Sequence, residues 1–393
     1  MKTVVVLHSS YGFHTENEFA GIMCAAKCRD WNVQTVVADL SQTRAEWHRR
    51  LVMEVSIWRP DGIIADWHHG LASFVYSRRE FRDVPIVAWD GEPNMLPQGL
   101  VCVYSDYEKI AAEAVGELIG TGFRNFAYVP MCGNPSWSAL RERSFVRQLS
   151  DYGRRVSRPP DVSARIDAVA YGDVLKDFLA SLPCPCAVFA ANDLVAARVV
   201  SVCRELGIAI PDEMAVLGVD DDKMTCENTI PTLSSIRSNY EEGGYAAAEL
   251  LDRMMTHPRS KHPSVAFGTI GVLRRASTTV LRRPDARVVK ALELIRAQAC
   301  EGLDISAVVA FMGGSRRNAE VLFRKCTGCT ILESILRVRI DRLKRFLLER
   351  NRMIKVLPDL CGFNSHVDMC RAFKRFERCT PTEWRLKHGI GSR

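Results

Sequence analysis

No run of 18 apolar residues occurs in the 393-residue chain, so no membrane-spanning helix is expected. The opening MKTVVVLHSS carries an apolar stretch too short for a secretory leader; it reads as a first core strand and points to the cytoplasm. Long low-complexity tracts are missing, and 47% of residues are hydrophobic, so a sizeable core can form. Catalytic signatures are missing too: there is no P-loop, no G-x-G-x-x-G after the first strand, no G-x-S-x-G and no H-E-x-x-H. Neither an enzyme nor a bound cofactor is expected. Cysteine is not scarce, at 14 residues, but in a reducing compartment these read as free, mostly buried thiols. Cys326 and Cys329 have C-x-x-C spacing, yet no second Cys/His pair follows at zinc-finger distance, so no metal is expected.

Acidic charge is thin at one end. Of the chain's 53 basic and 46 acidic residues, 22 and 11 fall in residues 286–393, a balance of +11; the 31 and 35 left in residues 1–285 give −4. A basic segment joined to a mildly acidic one suggests a nucleic-acid binder attached to a domain with another task.

Residues 1 to about 275 alternate short apolar runs with helical patterns. Strands are expected at 3–8, 33–38, 61–65, 84–89, 101–104, 124–129, 186–190 and 214–219, with helices at 108–121, 138–152, 193–206 and 240–255 between them. Continuous β-branched runs separated by helices imply parallel strands covered on both faces, and the length suits two doubly wound lobes. The arginine-rich RRASTTVLRRPDAR at 274–287 lacks periodicity, and residues 276–285 read as a linker. Beyond it every segment is helical: 286–300, 304–311, 315–325, 331–350, 354–361, 365–376 and 381–387.

Two of those segments repeat one plan. Val308, Val309 and Ala310 lead to Gly313, Gly314 and Ser315, then to a basic helix. Leu357 leads to Gly362, Phe363, Asn364 and Ser365, then to a second basic helix. A short helix, a glycine turn, a Ser N-cap and a basic helix make a helix-turn-helix. The candidate duplex contacts are Ser315, Arg316, Arg317, Asn318, Arg324 and Lys325 in the first unit, and Ser365, His366, Arg371, Lys374 and Arg375 in the second. Most would grip phosphates and one or two would reach base edges. The intervening helix of about 20 residues spans roughly 30 Å, close to the roughly 34 Å between successive major grooves on one face of B-DNA. Phe373, Phe376 and Trp384, among these charges, read as core aromatics.

This stretch resembles the AraC family DNA-binding domain over about 100 residues, through Gly362-Phe363, Phe373-Lys374-Arg375, Thr380-Pro381 and Arg385. Pro358, Ala319, Cys379 and Trp384 depart from the family's usual residues, and Pro358 bears on where its helix starts.

In residues 1–275, polar groups cluster where strands are expected to end: His8 and Ser9, Asp66 and Trp67, Trp89 and Asp90, Asp106, Asn192 and Asp193, and Asp220, Asp221 and Asp222. Ligands of open α/β sheets bind at such edges. Carboxylates accept from vicinal hydroxyls, Arg and Asn donate, and aromatic faces cover apolar sugar faces. Asp106 and Asp193 also stand where a helix cap belongs, Asp221 and Asp222 read as solvent-facing, and Trp67 and Trp89 read equally well as core. Trp137 and Arg141 share an i, i+4 helix face.

Here the chain resembles the LacI-type and periplasmic sugar-binding-protein fold, through PDGIIADW, VPIVAWDGE, TGFRNFAYV, WSALRERSF, FAANDLVAARVV, IPDEMAVLGVDDD and IPTLSSI. The resemblance implies that Arg141, Asn192 and Asp220 contact sugar, with Asp106 less securely placed; Trp137, Asp66 and Trp89 complete the expected ligand set. The N-terminal helix-turn-helix usual in LacI-type regulators is absent, since the sequence opens on the first strand.

The two resemblances together imply an α/β two-lobed periplasmic-binding-protein-like domain of doubly wound parallel sheets, followed by an all-α domain with two helix-turn-helix motifs. The function they imply is a pentose-responsive, xylose-like activator: a homodimer that binds promoter DNA and engages RNA polymerase. Sugar-driven closure of the lobes would reposition the C-terminal units, with about 1–3 kcal/mol of coupling. SSYGFHTEN and DWHHGL are particular to this chain and point to a different sugar. A purine or another small metabolite stays open as effector, because an aromatic-lined cleft suits a base as well as a sugar. A sugar-processing enzyme would use the acidic pairs as acid/base groups, without the motifs that usually accompany them.

Overall fold

The computed structural model describes residues 1–8, 13–38, 44–67, 70–160, 168–279, 285–348 and 353–388. By contacts the chain divides into two compact units: Met1–Ile210 with Val216–Ala276, and Ser277–Arg393 with Pro211–Ala215. Residues 280–284 of the expected linker lie outside the described residues.

The first unit has two six-stranded sheets. One contains β1 (Lys2–His8), β2 (Trp31–Val37), β3 (Gly62–Asp66), β4 (Ile86–Trp89), β5 (Val101–Ser105) and β11 (Val265–Phe267), in the order β11-β5-β4-β3-β1-β2 and all parallel. The other contains β6 (Asn125–Val129), β7 (Val156–Ser157), β8 (Cys186–Ala190), β9 (Met214–Val219), β10 (Ser234–Ser238) and β12 (Thr269–Leu273), in the order β12-β10-β9-β8-β6-β7. Val4, Val5, Val6 and Leu7 are fully buried, as expected where helices cover both faces. Each such side chain contributes about 1.5–3 kcal/mol when removed from water.

The expected parallel pattern needs one correction, since β12 runs antiparallel to β10. Only Gly268 separates β11 from β12, so the chain passes from one sheet into the other without a crossover helix. β7, β10, β11 and β12 were not expected from the sequence. The Ser-rich SSIRS of β10 carries no apolar run, and β7 and β11 are two and three residues long.

Helices α1 (Phe13–Cys28), α2 (Arg44–Ile57) and α3 (Leu71–Tyr76) follow β1, β2 and β3. The second sheet carries α4 (Tyr107–Gly120), α5 (Ser136–Ser150), α6 (Ala168–Ser181), α7 (Asp193–Leu206) and α8 (Lys223–Asn228). Helix α9 (Tyr240–Thr256) returns to the first sheet, packing on α1 and on β3, β4 and β5. At that crossing both helices present glycine. A Cβ on Gly21 would land on the Glu241 carbonyl oxygen, and one on Gly244 on that of Glu18, so the two backbones touch.

The second unit is helical: α10 (Ala286–Gln298), α11 (Ile305–Met312), α12 (Arg316–Thr327), α13 (Ile331–Leu348), α14 (Leu357–Leu360), α15 (His366–Glu377) and α16 (Pro381–His388). Its helices start where side chains cap them. The Asp304 carboxylate accepts from Ala307 N at 2.7 Å, and Thr330 with Glu333 and Thr380 with Glu383 form reciprocal boxes. Pro358 sits in the first turn of α14, which shortens to four residues behind a 3-10 turn at Ile354–Val356. Phe373 is fully buried and meets Trp384 edge to face at 6.1 Å. Cys326 belongs to the core and the Cys329 thiol lies 3.2 Å from the Ser334 hydroxyl.

Candidate effector cleft and nucleic-acid interface

The two lobes of the first unit are joined by three chain crossings: Ser105 to Asp106, Ser238 to Asn239, and Gly268. Two hydrogen bonds tie them together: Asp106 N–H donates to the Phe267 carbonyl at 2.8 Å, and Asn239 N–H to the Gly268 carbonyl at 2.9 Å. The carboxyl ends of β5 and β10 and the first turns of α4 and α9 adjoin this hinge.

Arg141, on α5, is 4% exposed. Its guanidinium donates to the Ala191 carbonyl and lies 5.3 Å from the centre of the Trp137 ring, as the i, i+4 spacing anticipated. Burial works against its charge, but the Asp220 carboxylate and the Tyr128, Tyr240 and Tyr107 hydroxyls outweigh it and raise its pKa. Its Nε is buried without a hydrogen-bond partner. Asp220 follows β9 with a positive φ of 107° and accepts from the Tyr240 hydroxyl at 2.8 Å. Because Tyr240 opens α9 and Asp220 ends a strand of the other sheet, this bond spans the lobes. The Tyr107 hydroxyl, next to the hinge, is also buried without a partner, and burial chiefly raises its pKa.

The remaining sequence candidates divide. Asn192 caps α7, its side-chain oxygen accepting from Val195 N at 3.0 Å, which leaves its amide nitrogen to serve a ligand. Asp106 caps α4 through Lys109 N at 3.0 Å, so its carboxylate has structural work at the hinge. Asp193 is structural: it accepts from Ser235 Oγ at 2.6 Å and Asp222 N at 2.8 Å, and burial followed by Asp220 pushes its pKa well up. Asp66 ends β3 beside Trp89 of β4.

Two expectations are corrected. Trp89 is a core residue, stacked on Phe267 at 5.4 Å and pressed on Gly243, where a Cβ would come within 2.8 Å of the ring. Asp221, expected in solvent, is 1% exposed because Arg275, 54 residues on, reaches back to it at 2.7 Å. Of the chain-specific stretches, residues 9–12, Ser9 among them, and His68 and His69 lie outside the described residues. Sequence reasoning missed Tyr107, Tyr240 and Glu18. The first two are the opening residues of helices that follow sheet strands, a signal that was legible.

In the second unit α12 and α15 have the same length and start 50 residues apart, each behind a Ser cap, with Phe323 and Phe373 at equivalent positions. Ser315 caps α12 through Asn318 N and Ser365 caps α15 through Asp368 N, so both hydroxyls serve the helix starts. Gly362 has φ 75°, and a Cβ there would come within 2.8 Å of the Ala299 carbonyl oxygen. Arg317, Val321 and Arg324 form one exposed stripe, and Val367, Arg371 and Lys374 the matching one. Asn318, Lys325 and His366 are also exposed. Arg371 is 78% exposed, with only Asp368 at 3.8 Å as a partner.

Arg375 differs from Arg371. Its guanidinium is held at 2.9 Å by Glu333, the capping carboxylate of α13, so it ties α15 to α13. Arg316 is likewise engaged by Glu320 at 3.0 Å. The exposed Val321 and Val367 were missed, although apolar side chains on such stripes can meet thymine methyl groups.

Comparison with known proteins matches residues 115–278 to a periplasmic binding protein-like domain and residues 308–387 to a helix-turn-helix domain. The xylose operon regulatory protein of Escherichia coli K12 is 27% identical over 371 residues, which is 90% of this chain and 92% of that protein. The chain is a DNA-binding transcriptional regulator similar to the xylose operon regulators. The Haemophilus influenzae xylose operon regulatory protein is 26% identical, over 86% of this chain and 88% of its own length. The solved structure of the xylose-binding transcription activator xylR aligns with a TM-score of 0.61 at 22% identity, covering 99% of this chain and 98% of that one. This chain has the fold of that activator, and both of these relatives are named as regulatory proteins. Among the described residues no helix is long and apolar enough to cross a membrane.

Proposed function

We propose that this regulator senses a small sugar in the cleft of its first unit and activates transcription of a sugar-catabolic operon. The observation that carries the reading is Arg141, a buried guanidinium facing Asp220 with one donor left over beside the unpartnered Tyr107 hydroxyl. Buried donors without acceptors cost about 1–3 kcal/mol each, and a polyhydroxylated ligand removes that cost. Xylose, named for the relatives, is the first neutral candidate. Asn192 would donate to the same ligand, while Trp137 would cover an apolar face.

The sugar would stabilise the closed arrangement of the lobes about the three crossings, where the Tyr240–Asp220 bond already spans them. In a homodimer on promoter DNA, closure would change how two C-terminal units reach neighbouring grooves and how they meet RNA polymerase. Helix α13, at 18 residues and about 27 Å, is of the right length to set α12 and α15 one groove apart.

A thermal-shift screen of sugars and nucleobases tests this. A cognate sugar at about 100 times its Kd stabilises the protein by roughly 2.7 kcal/mol, and Asp220→Ala removes the response without changing operator affinity. Stabilisation by a purine and by no sugar contradicts the effector class.

A further inference from the structure

Among the described residues of the first unit, Glu18 and Asp221 each bury a carboxyl oxygen without a hydrogen-bond partner, but Asp221 is paired with Arg275 and Glu18 with no arginine or lysine. Glu18, on α1, is 2% exposed; its Oε1 has no hydrogen-bond partner, and its Oε2 lies 3.9 Å from Nδ1 of His8. The helix cannot retreat to relieve it, because the Glu18 carbonyl rests against Gly244 of α9. Burial first, then the charges of Asp66 and Asp90, push the Glu18 carboxyl well above the ordinary carboxylate range. His8 brings no compensating charge, since burial lowers its pKa despite Asp66.

These groups gather at the carboxyl edge of three neighbouring parallel strands. Leu7 pairs with Ala65 and Asp66 with Trp89, which sets His8, Asp66 and Trp89 in one row, with Asp90 the next residue, where ligands of such sheets bind. The other lobe offers the opposite demand. There the Arg141 charge faces Asp220, and its buried Nε–H has no acceptor. The cleft therefore wants an acceptor at the Arg141 side and a positively charged donor at the Glu18 side.

We propose that the effector is an amino sugar, its protonated amine seated against Glu18 beside Asp66 and Asp90 while a hydroxyl or ring oxygen accepts from Arg141. This rests on the sugar-sensing reading and departs from xylose as the effector. A neutral polyol brings donors but no positive charge, whereas an ammonium group seated there offsets the crowding of acidic groups that raises the Glu18 pKa. An amino acid would set its carboxylate against Asp220. A metal ion is disfavoured, because among the described residues no three His, Cys, Asp or Glu side chains are placed to hold one.

The test is isothermal titration of the full-length protein with glucosamine, galactosamine and mannosamine, with each parent sugar and N-acetyl derivative, and with xylose. At least one amino sugar is expected to bind about tenfold or more tightly than its parent. N-acetylation, which keeps the nitrogen and removes its charge, and Glu18→Gln should each erase that preference. Asp66→Asn gives the same readout should Glu18→Gln fold poorly. Equal or tighter binding of the parents or xylose, or a preference that survives both variants, overturns the amine assignment and leaves the sugar sensor standing. Binding of none of these sugars overturns both.

Discussion

Arg141 and Arg371 are both helix arginines, one 4% exposed and the other 78%. The first sits in a unit that buries its charges: Glu18, Asp193, Asp220, Asp221 and Arg275 are all at most 9% exposed. The second sits in a unit that displays them, with Arg317, Arg324 and Lys374 in solvent around a core of Phe323, Phe373 and Trp384. Buried charges are strong, short-ranged and discriminating, because any mismatch leaves a group unpaired in a poor solvent. Exposed charges are individually weak, screened by salt and indifferent to detail, which suits a phosphate backbone. On the proposed reading, one chain uses charge both to recognise a small molecule and to hold a long polyanion.

The contrast can be pressed with single substitutions. Arg141→Ala should have the largest effect, leaving Asp220 without its buried counter-charge: about 3–5 kcal/mol of stability, read by denaturant melts, together with loss of the effector response. Gly362→Ala drives a Cβ into the Ala299 carbonyl and should cost about 1–3 kcal/mol, with effector affinity unchanged by titration. Arg371→Ala should weaken operator binding by about 1–3 kcal/mol in a gel shift and lower the salt slope by about one. Arg375→Ala should do less, because its guanidinium answers Glu333; the loss of a half-exposed pair is worth under about 1 kcal/mol and appears in stability before affinity.

The buried side of the comparison can also be tested through pH. Glu18 and Asp193 have folded pKa values raised well above their ordinary 4.5 and 3.8. Both are protonated in folded and unfolded chains at low pH, where they cost nothing. As pH rises past the ordinary values only the unfolded chain releases these protons, so stability falls until the elevated folded values are reached. Melting temperature should therefore decline from about pH 4.5 upward, and Glu18→Gln should flatten part of that decline.

Much of this was legible in the residues. The runs of β8 and β9 announced buried strands, and the repeat from Ser315 to Ser365 announced two equivalent helices. Strand β10 was not legible, because Ser234 and Ser235 look like loop residues until their hydroxyls are seen meeting Arg275 N and Asp193. Asp221 was misread for a similar reason: its partner Arg275 is 54 residues away in sequence. Glu18 carries no sequence signal of its own, and only its burial in the fold, at 2% exposed, shows that it faces inward. Arg375 and Arg371 are indistinguishable in sequence, and Glu333 alone separates them. Local pattern reports elements, whereas the fate of a charge depends on what the fold brings opposite.

The most direct measurement compares the intact chain with one lacking residues 286–393, by fluorescence anisotropy on a labelled promoter fragment at physiological salt. The shortened chain should show no specific retention of the fragment while keeping its melting-temperature response to the effector. Promoter affinity equal to that of the intact protein would place DNA recognition in the sugar-binding-protein-like unit and contradict the separation of roles.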